Sequence, residues 1–306
     1  MGTTNTCDTD NISDNASREG KQLISILYGN VRSILNKLLE LKALVNDLKP
    51  SIILLCETFA RSDIGDALLA IEGYECIVRQ DGTTTEGGKC RGLLVYCKAE
   101  LKASEYVGKG FSEVVECAGI QIPWGSGKVS RSQDSLKVVV VYRPPRAPFS
   151  EQDGGNTAKL CSMLRSLQGR VLVVGDLNLP GIDWERTYSD KPGEKVVLDV
   201  VQDQYWTQYV DFPTHEDGNT LDVVLGPPGL VAGVSDEGRL GTSDHNMFKL
   251  DVLVPALERD SVEMVPDWTK ADMKGLREAF SEKDWQEKLE GKCTANCSHV
   301  VFFKVV

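Results

Sequence analysis

Val171-Leu172-Val173-Val174-Gly175-Asp176-Leu177-Asn178 is the stretch on which the reading of this chain turns. Four apolar residues, three of them β-branched, run directly into Gly-Asp-x-Asn, so a buried strand ends on an acid and an amide. Asp176 and Asn178 are two apart and point to the same side of an extended backbone. An Asx-rich turn continued by Pro180-Gly181 would account for the same residues. The pair therefore takes its meaning from what the rest of the chain places beside it.

Outward from this segment the same pattern recurs. Upstream, Leu23 to Tyr28 is a short apolar run that ends at Gly29-Asn30. Ile34, Leu38, Leu41, Leu44, Val45 and Leu48 follow at helical spacing, with Pro50 as the stop. Ile52 to Cys56 is a second buried strand closed by Glu57-Thr58, Gly92 to Tyr96 a third, and Leu136 to Tyr142 a fourth, cut off by Pro144-Pro145. Ala158 to Leu167 reads as helix, and Asn219 to Leu225 and Phe248 to Val254 as the last two strands. Short strands alternating with a few helices predict an α/β protein with a sizeable sheet. Asn30, Glu57, Tyr142, Asp176 and Asn178 all fall at strand ends, where a rigid scaffold presents chemistry.

Glu57 alone would more often be a strand-terminating acid facing solvent. Asp222 is harder to dismiss, because it sits between Leu221 and Val223-Val224-Leu225, and a buried carboxylate needs a partner. His245, one of three histidines, follows Asp244 and is the natural partner. A histidine oriented by a buried Asp is held charged or in one tautomer. A carboxylate for a hard cation, an Asp-x-Asn pair, a buried Asp and a His together suit Mg²⁺ and phosphodiester hydrolysis, which needs an activated water, neutralised phosphate charge and a stabilised leaving oxygen.

Composition bounds the alternatives. With 306 residues, 41% hydrophobic and 26% charged, the chain is expected to be globular, not fibrous or disordered. No run approaches the ~18–20 apolar residues that cross a bilayer, and residues 1–20 are a polar lead-in without the apolar segment of a secretory signal. The net charge of −11 argues against binding a polyanion through bulk positive charge. DNA contacts would have to be local, with Arg143, Arg146, Lys89 and Arg91 as candidates. Nine scattered cysteines read as small buried hydrophobes of a reducing compartment. Cys293 and Cys297 have only His299 nearby, too few donors for zinc. His215 reads as a loop residue, and Trp184 and Trp206 as packing residues.

The ordered set Asn30, Glu57, Tyr142, Gly175-Asp176-Leu177-Asn178, Asp222 and Ser243-Asp244-His245 resembles the endonuclease/exonuclease/phosphatase superfamily. Within it, Asn30-Val31-Arg32-Ser33-Ile34-Leu35-Asn36-Lys37, Tyr142-Arg143-Pro144-Pro145 and Asn219-Thr220-Leu221-Asp222 are similar to endonuclease domains of non-LTR (LINE-type) retrotransposons. The resemblance spans residues 21–253, with 254–306 as a linker-like helical tail. It implies a DNase I-like four-layer α/β sandwich, two mixed β-sheets flanked by helices. It implies an Mg²⁺-dependent endonuclease, Mn²⁺ being the other candidate ion, that nicks one strand of double-stranded DNA and leaves a 3′-hydroxyl and a 5′-phosphate. By the same resemblance Glu57, Asn30 and Asp244 would hold the metal, Asp176 the attacking water and Asn178 a phosphate oxygen. His245, paired with Asp222, would stabilise the transition state, Tyr142 would touch the phosphate, Thr214 and Arg143 would contact DNA or phosphate, and Ser243 would either touch phosphate or shape its loop. The protein would be intracellular, and nuclear when acting on DNA. In such elements a reverse transcriptase domain follows, which this chain lacks. A phosphatase or phosphodiesterase of the same superfamily, and a decayed copy acting as a binding module, are the competing expectations. The basic Lys89-Cys90-Arg91 before Gly92 departs from the plain glycine run expected there.

Overall fold

A computed structural model describes residues 21–83, 90–114, 116–123, 135–145 and 155–255. The chain divides into two compact units, Met1–Glu258 and Arg259–Val306, and every described residue belongs to the first. The expected lead-in and nearly all of the expected tail lie outside the described residues, as do Lys89 and Arg146.

The elements in chain order are β1 (Lys21–Asn30), α1 (Leu38–Leu48), β2 (Ile52–Cys56), β3 (Glu75–Gln80), β4 (Leu93–Cys97), β5 (Ser104–Glu105), β6 (Glu116–Pro123), β7 (Ser135–Tyr142), α2 (Asn156–Ser166), β8 (Arg170–Asp176), α3 (Pro192–Asp203), β9 (Thr207–Gln208), β10 (Asp222–Gly226), β11 (Val231–Arg239) and β12 (Asn246–Pro255). They form two six-stranded sheets, ordered β11-β12-β1-β2-β4-β3 and β5-β6-β7-β8-β10-β9. β1–β2 and β7–β8 are parallel and the remaining pairs antiparallel, so both sheets are mixed. α1 ends on Lys49 in the left-handed conformation, immediately before Pro50. β3, β6, β11 and α3 were not expected from the sequence. Among the described residues no helix is long and apolar enough to cross a membrane.

The period of two along each strand sorts the core into layers. Ile24, Ile26 and Tyr28 of β1 meet Val138, Val140 and Tyr142 of β7 in the central core between the sheets. The alternate residues face outward: Leu27, Ile53 and Leu55 pack against Leu41 and Val45 of α1. On the far side Val139, Val141 and Val173 pack against Leu160 and Leu164 of α2 and Val197 and Val201 of α3. The result is the expected helix–sheet–sheet–helix sandwich. Gly175 fixes one contact in it, because a Cβ there would lie 1.9 Å from the Val141 carbonyl oxygen on the neighbouring strand.

Extending the inward alternation of each strand by one step locates the site. Ile24, Ile26 and Tyr28 lead to Asn30, and Leu172 and Val174 lead to Asp176. Asp222 precedes Val224 at the same parity, and Glu116 precedes Ala118. In the second sheet these residues are direct neighbours: Glu116 is opposite Tyr142, Tyr142 opposite Asp176, and Asp176 opposite Asp222. One row of polar side chains thus crosses four strands at the end of the inter-sheet core.

Candidate functional site

The row from the second sheet is met by polar residues of the first. Asn30 Nδ2 donates to Asp176 Oδ2 at 3.0 Å, and the Tyr28 hydroxyl donates to Asp222 Oδ1 at 2.7 Å. His245 Nδ1 lies 2.7 Å from Asp222 Oδ2, so the expected Asp–His pair is present. The opposite nitrogen, Nε2, lies 3.8 Å from Asp176 Oδ2 and 3.5 Å from Asn30 Nδ2. Asp176 also accepts the Asn178 backbone N–H at 2.9 Å, and Asn178 takes a left-handed φ of +49° to make that turn.

Burial and charge set the protonation of this cluster. Burial is the largest influence on Asp176 and, with Asp222 opposite, lifts its carboxyl well above the usual carboxylate range. Burial works against charge on His245, but the Asp222 hydrogen bond and the charges of Asp222, Asp176 and Asp244 outweigh it and raise its pKa to about 9. With the imidazole protonated at neutral pH, Nε2–H is turned towards Asp176 Oδ2, to which the Asn30 amide also donates.

A cleft of about 530 Å³ opens beside this pair, and Glu57, Asp244, Asn178, His245, Arg32 and Arg91 are among its lining residues. Glu57 ends β2 in a left-handed conformation, φ +51°, which is costly for a side-chain-bearing residue and is held by neighbours on both sides. Its carbonyl accepts Ser33 N–H at 2.8 Å, and the following Thr58 N–H reaches Gly92 O at 3.2 Å. The Glu57 carboxylate accepts Arg91 Nη1 at 2.7 Å. The Asp244 carboxylate is bonded by Arg32. Burial opposes charge on Asp244, but His245, Arg32 and His215 together hold its carboxyl below the ordinary range.

The donor set fits a hard divalent cation. Glu57 and Asp244 both turn carboxylates to the cleft, and Asp244 Oδ1 is buried with no hydrogen-bond partner. Cys56, the one thiol next to it in sequence, is turned into the core against Tyr28 at 3.0 Å. His215, Asp244 and His245 also lie close enough together to hold an ion. However, His215 Nδ1 accepts the Asp217 N–H at 3.1 Å, which puts the proton on Nε2, 3.4 Å from Asp244 Oδ2. In that tautomer His215 braces Asp244.

Three residues expected near DNA or phosphate have their polar groups bonded within the protein. Arg143 is buried, and its guanidinium donates to Thr157 Oγ1 and to the Leu177 and Asn178 carbonyls, so it shapes the Asp176–Asn178 turn from behind. Thr214 is fully buried, and its Oγ1 accepts Leu221 and Asp222 N–H, both at 3.0 Å. Ser243 is buried and donates to Asn30 O at 2.8 Å while accepting His245 N–H at 3.3 Å. All three position the site from within. The Tyr142 hydroxyl is buried against Glu57, and burial together with the Glu57 charge and hydrogen bonding to it pushes its pKa well up.

Sequence reading missed Tyr28, Glu116 and the contact of His215 with the site. His215 is no remote loop residue: it bridges His245 through the backbone and packs edge-on to its ring at 4.8 Å. The parity that leads Tyr28 to Asn30, and Ala118 back to Glu116, was the signal available for the other two. Trp184 and Trp206 pack on the outer core, as expected.

A two-sheet α/β sandwich with carboxylates and a cationic histidine at one rim defines the DNase I-like class of phosphodiester hydrolases. The chain belongs to the Endonuclease/Exonuclease/phosphatase family, whose model matches residues 27–245. Nucleases of this family depend on divalent metals, consistent with the oxygen donors here. In fold it is similar to the endonuclease domain of TRAS1, a telomere-specific non-LTR retrotransposon, with 15% identity and a TM-score of 0.54 over 77% of this chain and 100% of that one. It is also similar to the 3′-5′ exonuclease NExo from Neisseria meningitidis, with 18% identity and a TM-score of 0.53 over 74% of this chain and 99% of that one. AP endonuclease LMAP from Leishmania major gives 16% identity and a TM-score of 0.56 over 80% and 90%. Sequence comparison finds no match among curated proteins.

Proposed function

We propose that this chain is an Mg²⁺-dependent endonuclease that nicks one strand of double-stranded DNA and leaves a 3′-hydroxyl and a 5′-phosphate, as in the target-primed reverse transcription of non-LTR retrotransposons. The observation that carries the reading is His245 held by Asp222, with its Nε2 beside Asp176 at the edge of the cleft that Glu57 and Asp244 line.

Glu57, Asp244 and the Asn30 amide oxygen would hold the ion, which when bound neutralises phosphate charge and stabilises the leaving oxygen. Asp176, with its raised pKa, accepts the proton of an attacking water and is steered towards it by the Asn30 and Asn178 donors. Protonated His245 donates from Nε2 to a non-bridging phosphate oxygen as negative charge grows there. Asn178, which lines the cleft, would donate to the phosphate, and the Tyr142 hydroxyl would supply one further donor. The substrate would be chromosomal DNA, hence a nuclear site of action, and the 3′-hydroxyl would prime reverse transcription.

Supercoiled plasmid incubated with the protein in Mg²⁺ tests the reading, with chelator as control and end-labelling to type the termini. Open circles carrying extendable 3′-hydroxyls are expected. Release of inorganic phosphate from 3′-phosphorylated or inositol-phosphate substrates without plasmid nicking would favour a phosphatase instead.

A further inference from the structure

Arg91 makes a strong contact in the cleft that the mechanism above leaves without a role. Its guanidinium holds Glu57 Oε2 at 2.7 Å, and its Cζ lies 5.6 Å from the Tyr142 ring centroid and 5.9 Å from that of Phe59. The backbone behind it is fixed. Glu116, buried at the start of β6, accepts the Arg91 and Gly92 N–H groups on its two oxygens at 2.7 and 2.8 Å. The Arg91 carbonyl accepts Phe59 N–H at 2.7 Å. Gly92 allows this close approach, with φ +94° and a would-be Cβ only 2.6 Å from Thr58 Oγ1. The root of the side chain is therefore anchored, while the side chain itself is 28% exposed and the Glu57 side chain 4%.

A carboxylate this buried needs a positive partner, and Arg91 is the one it has. A divalent cation at Glu57 would compete for the same carboxylate and repel the guanidinium. The direction open to Arg91 is the cleft it already lines, and the Tyr142 and Phe59 rings lie against the guanidinium where it now stands. A guanidinium fork placed there matches two oxygens of a phosphate.

Resting on the endonuclease reading, we infer that Arg91 exchanges Glu57 for the scissile phosphate when the metal binds, serving as an internal competitor for the metal carboxylate before that and as a catalytic residue after it. The exchange couples the two events: a cation bound at Glu57 frees the arginine that the substrate phosphate then takes up.

The test is Mg²⁺ titration calorimetry on the DNA-free protein together with plasmid nicking at saturating Mg²⁺, for wild type, Arg91→Gln and Arg91→Lys. Arg91→Gln should bind Mg²⁺ tighter by about fivefold, because a competitor is gone, yet nick about 10²-fold more slowly, because a phosphate donor is gone. Arg91→Lys keeps the charge without the fork, so its Mg²⁺ affinity should stay near wild type while nicking falls about tenfold. If Arg91→Gln fails to fold by circular dichroism, Arg91→Met takes its place in both measurements with the same expectations, the charge and the fork again being removed. A folded Arg91→Gln that binds Mg²⁺ no tighter than wild type would overturn the competition, and either variant nicking at the wild-type rate would overturn the phosphate contact. A wild-type protein that nicks nothing overturns the endonuclease reading and the phosphate contact with it, and the titration then judges the competition alone.

Discussion

Replacing Asp222 by Asn removes one oxygen's charge from the site while keeping the side chain's size. Asp222 supplies the hydrogen bond and the largest charge that raise His245 from 6.5 to about 9. That gap corresponds to roughly 3 kcal/mol favouring the imidazolium. Because folding raises this pKa, protonation of His245 stabilises the native protein fully below pH 6.5, and the contribution fades as pH climbs through about 9. In Asp222→Asn, burial remains and the main support is gone, so His245 should titrate at or below 6.5. At pH 7.5 only about a tenth or less of it would then be charged. Loss of charge and loss of ring orientation together should cost about 10²-fold in nicking, and the alkaline limb of the pH–rate profile should move from near 9 to near 6.5. With only three histidines in the chain, the ring proton of His245 can be followed directly by NMR in the metal-free protein. A His245 that still titrates near 9 in Asp222→Asn would refute the reasoning, since the cation would then be held by something other than Asp222.

Two further predictions follow from single contacts. Tyr28→Phe removes the donor to Asp222 Oδ1, a fully buried oxygen, and should lower stability by about 1–3 kcal/mol in denaturant unfolding. It should also slow nicking by about tenfold with Mg²⁺ affinity unchanged; equal losses in metal affinity and rate would mean that Tyr28 acts beyond the Asp222–His245 pair. Gly175→Ala places a methyl 1.9 Å from the Val141 carbonyl and should destabilise the protein by several kcal/mol or prevent folding, whereas an Ala variant with wild-type thermal unfolding would contradict the β7–β8 register.

Strand ends and their polar residues were legible because apolar runs stop abruptly at Asn30, Glu57, Tyr142 and Asp176. Asp222 was legible as a charge inside an apolar segment. What escaped did so for physical reasons. β11 is an edge strand with one buried residue, Val231, and its Gly233, Ser235, Asp236 and Gly238 read as turn, so no apolar alternation marks a strand there. α3 opens with Pro192-Gly193, which punctuates a loop as readily as it starts a helix. Arg143, Thr214 and Ser243 sit beside the right strand ends, but proximity along the chain does not tell whether a polar side chain faces the cleft or bonds backward to the backbone. Their bonds to carbonyls and N–H groups of distant segments exist only in the folded protein. Glu116 and Tyr28 follow from the parity of two only once β6 and β1 are known to share one inter-sheet core.

The central claim is that Asp176 and His245 act on a phosphodiester beside a metal held by Glu57 and Asp244. Its most direct test is nicking of supercoiled plasmid by wild type and Asp176→Asn under matched Mg²⁺, with Mg²⁺ affinity measured on both. Asp176→Asn keeps the side chain's shape and removes its ability to take a proton, so the rate should fall on the order of 10²-fold or more while Mg²⁺ affinity stays within about twofold. A folded Asp176→Asn protein that nicks at the wild-type rate, or whose lost activity is restored by raising Mg²⁺, would contradict the account.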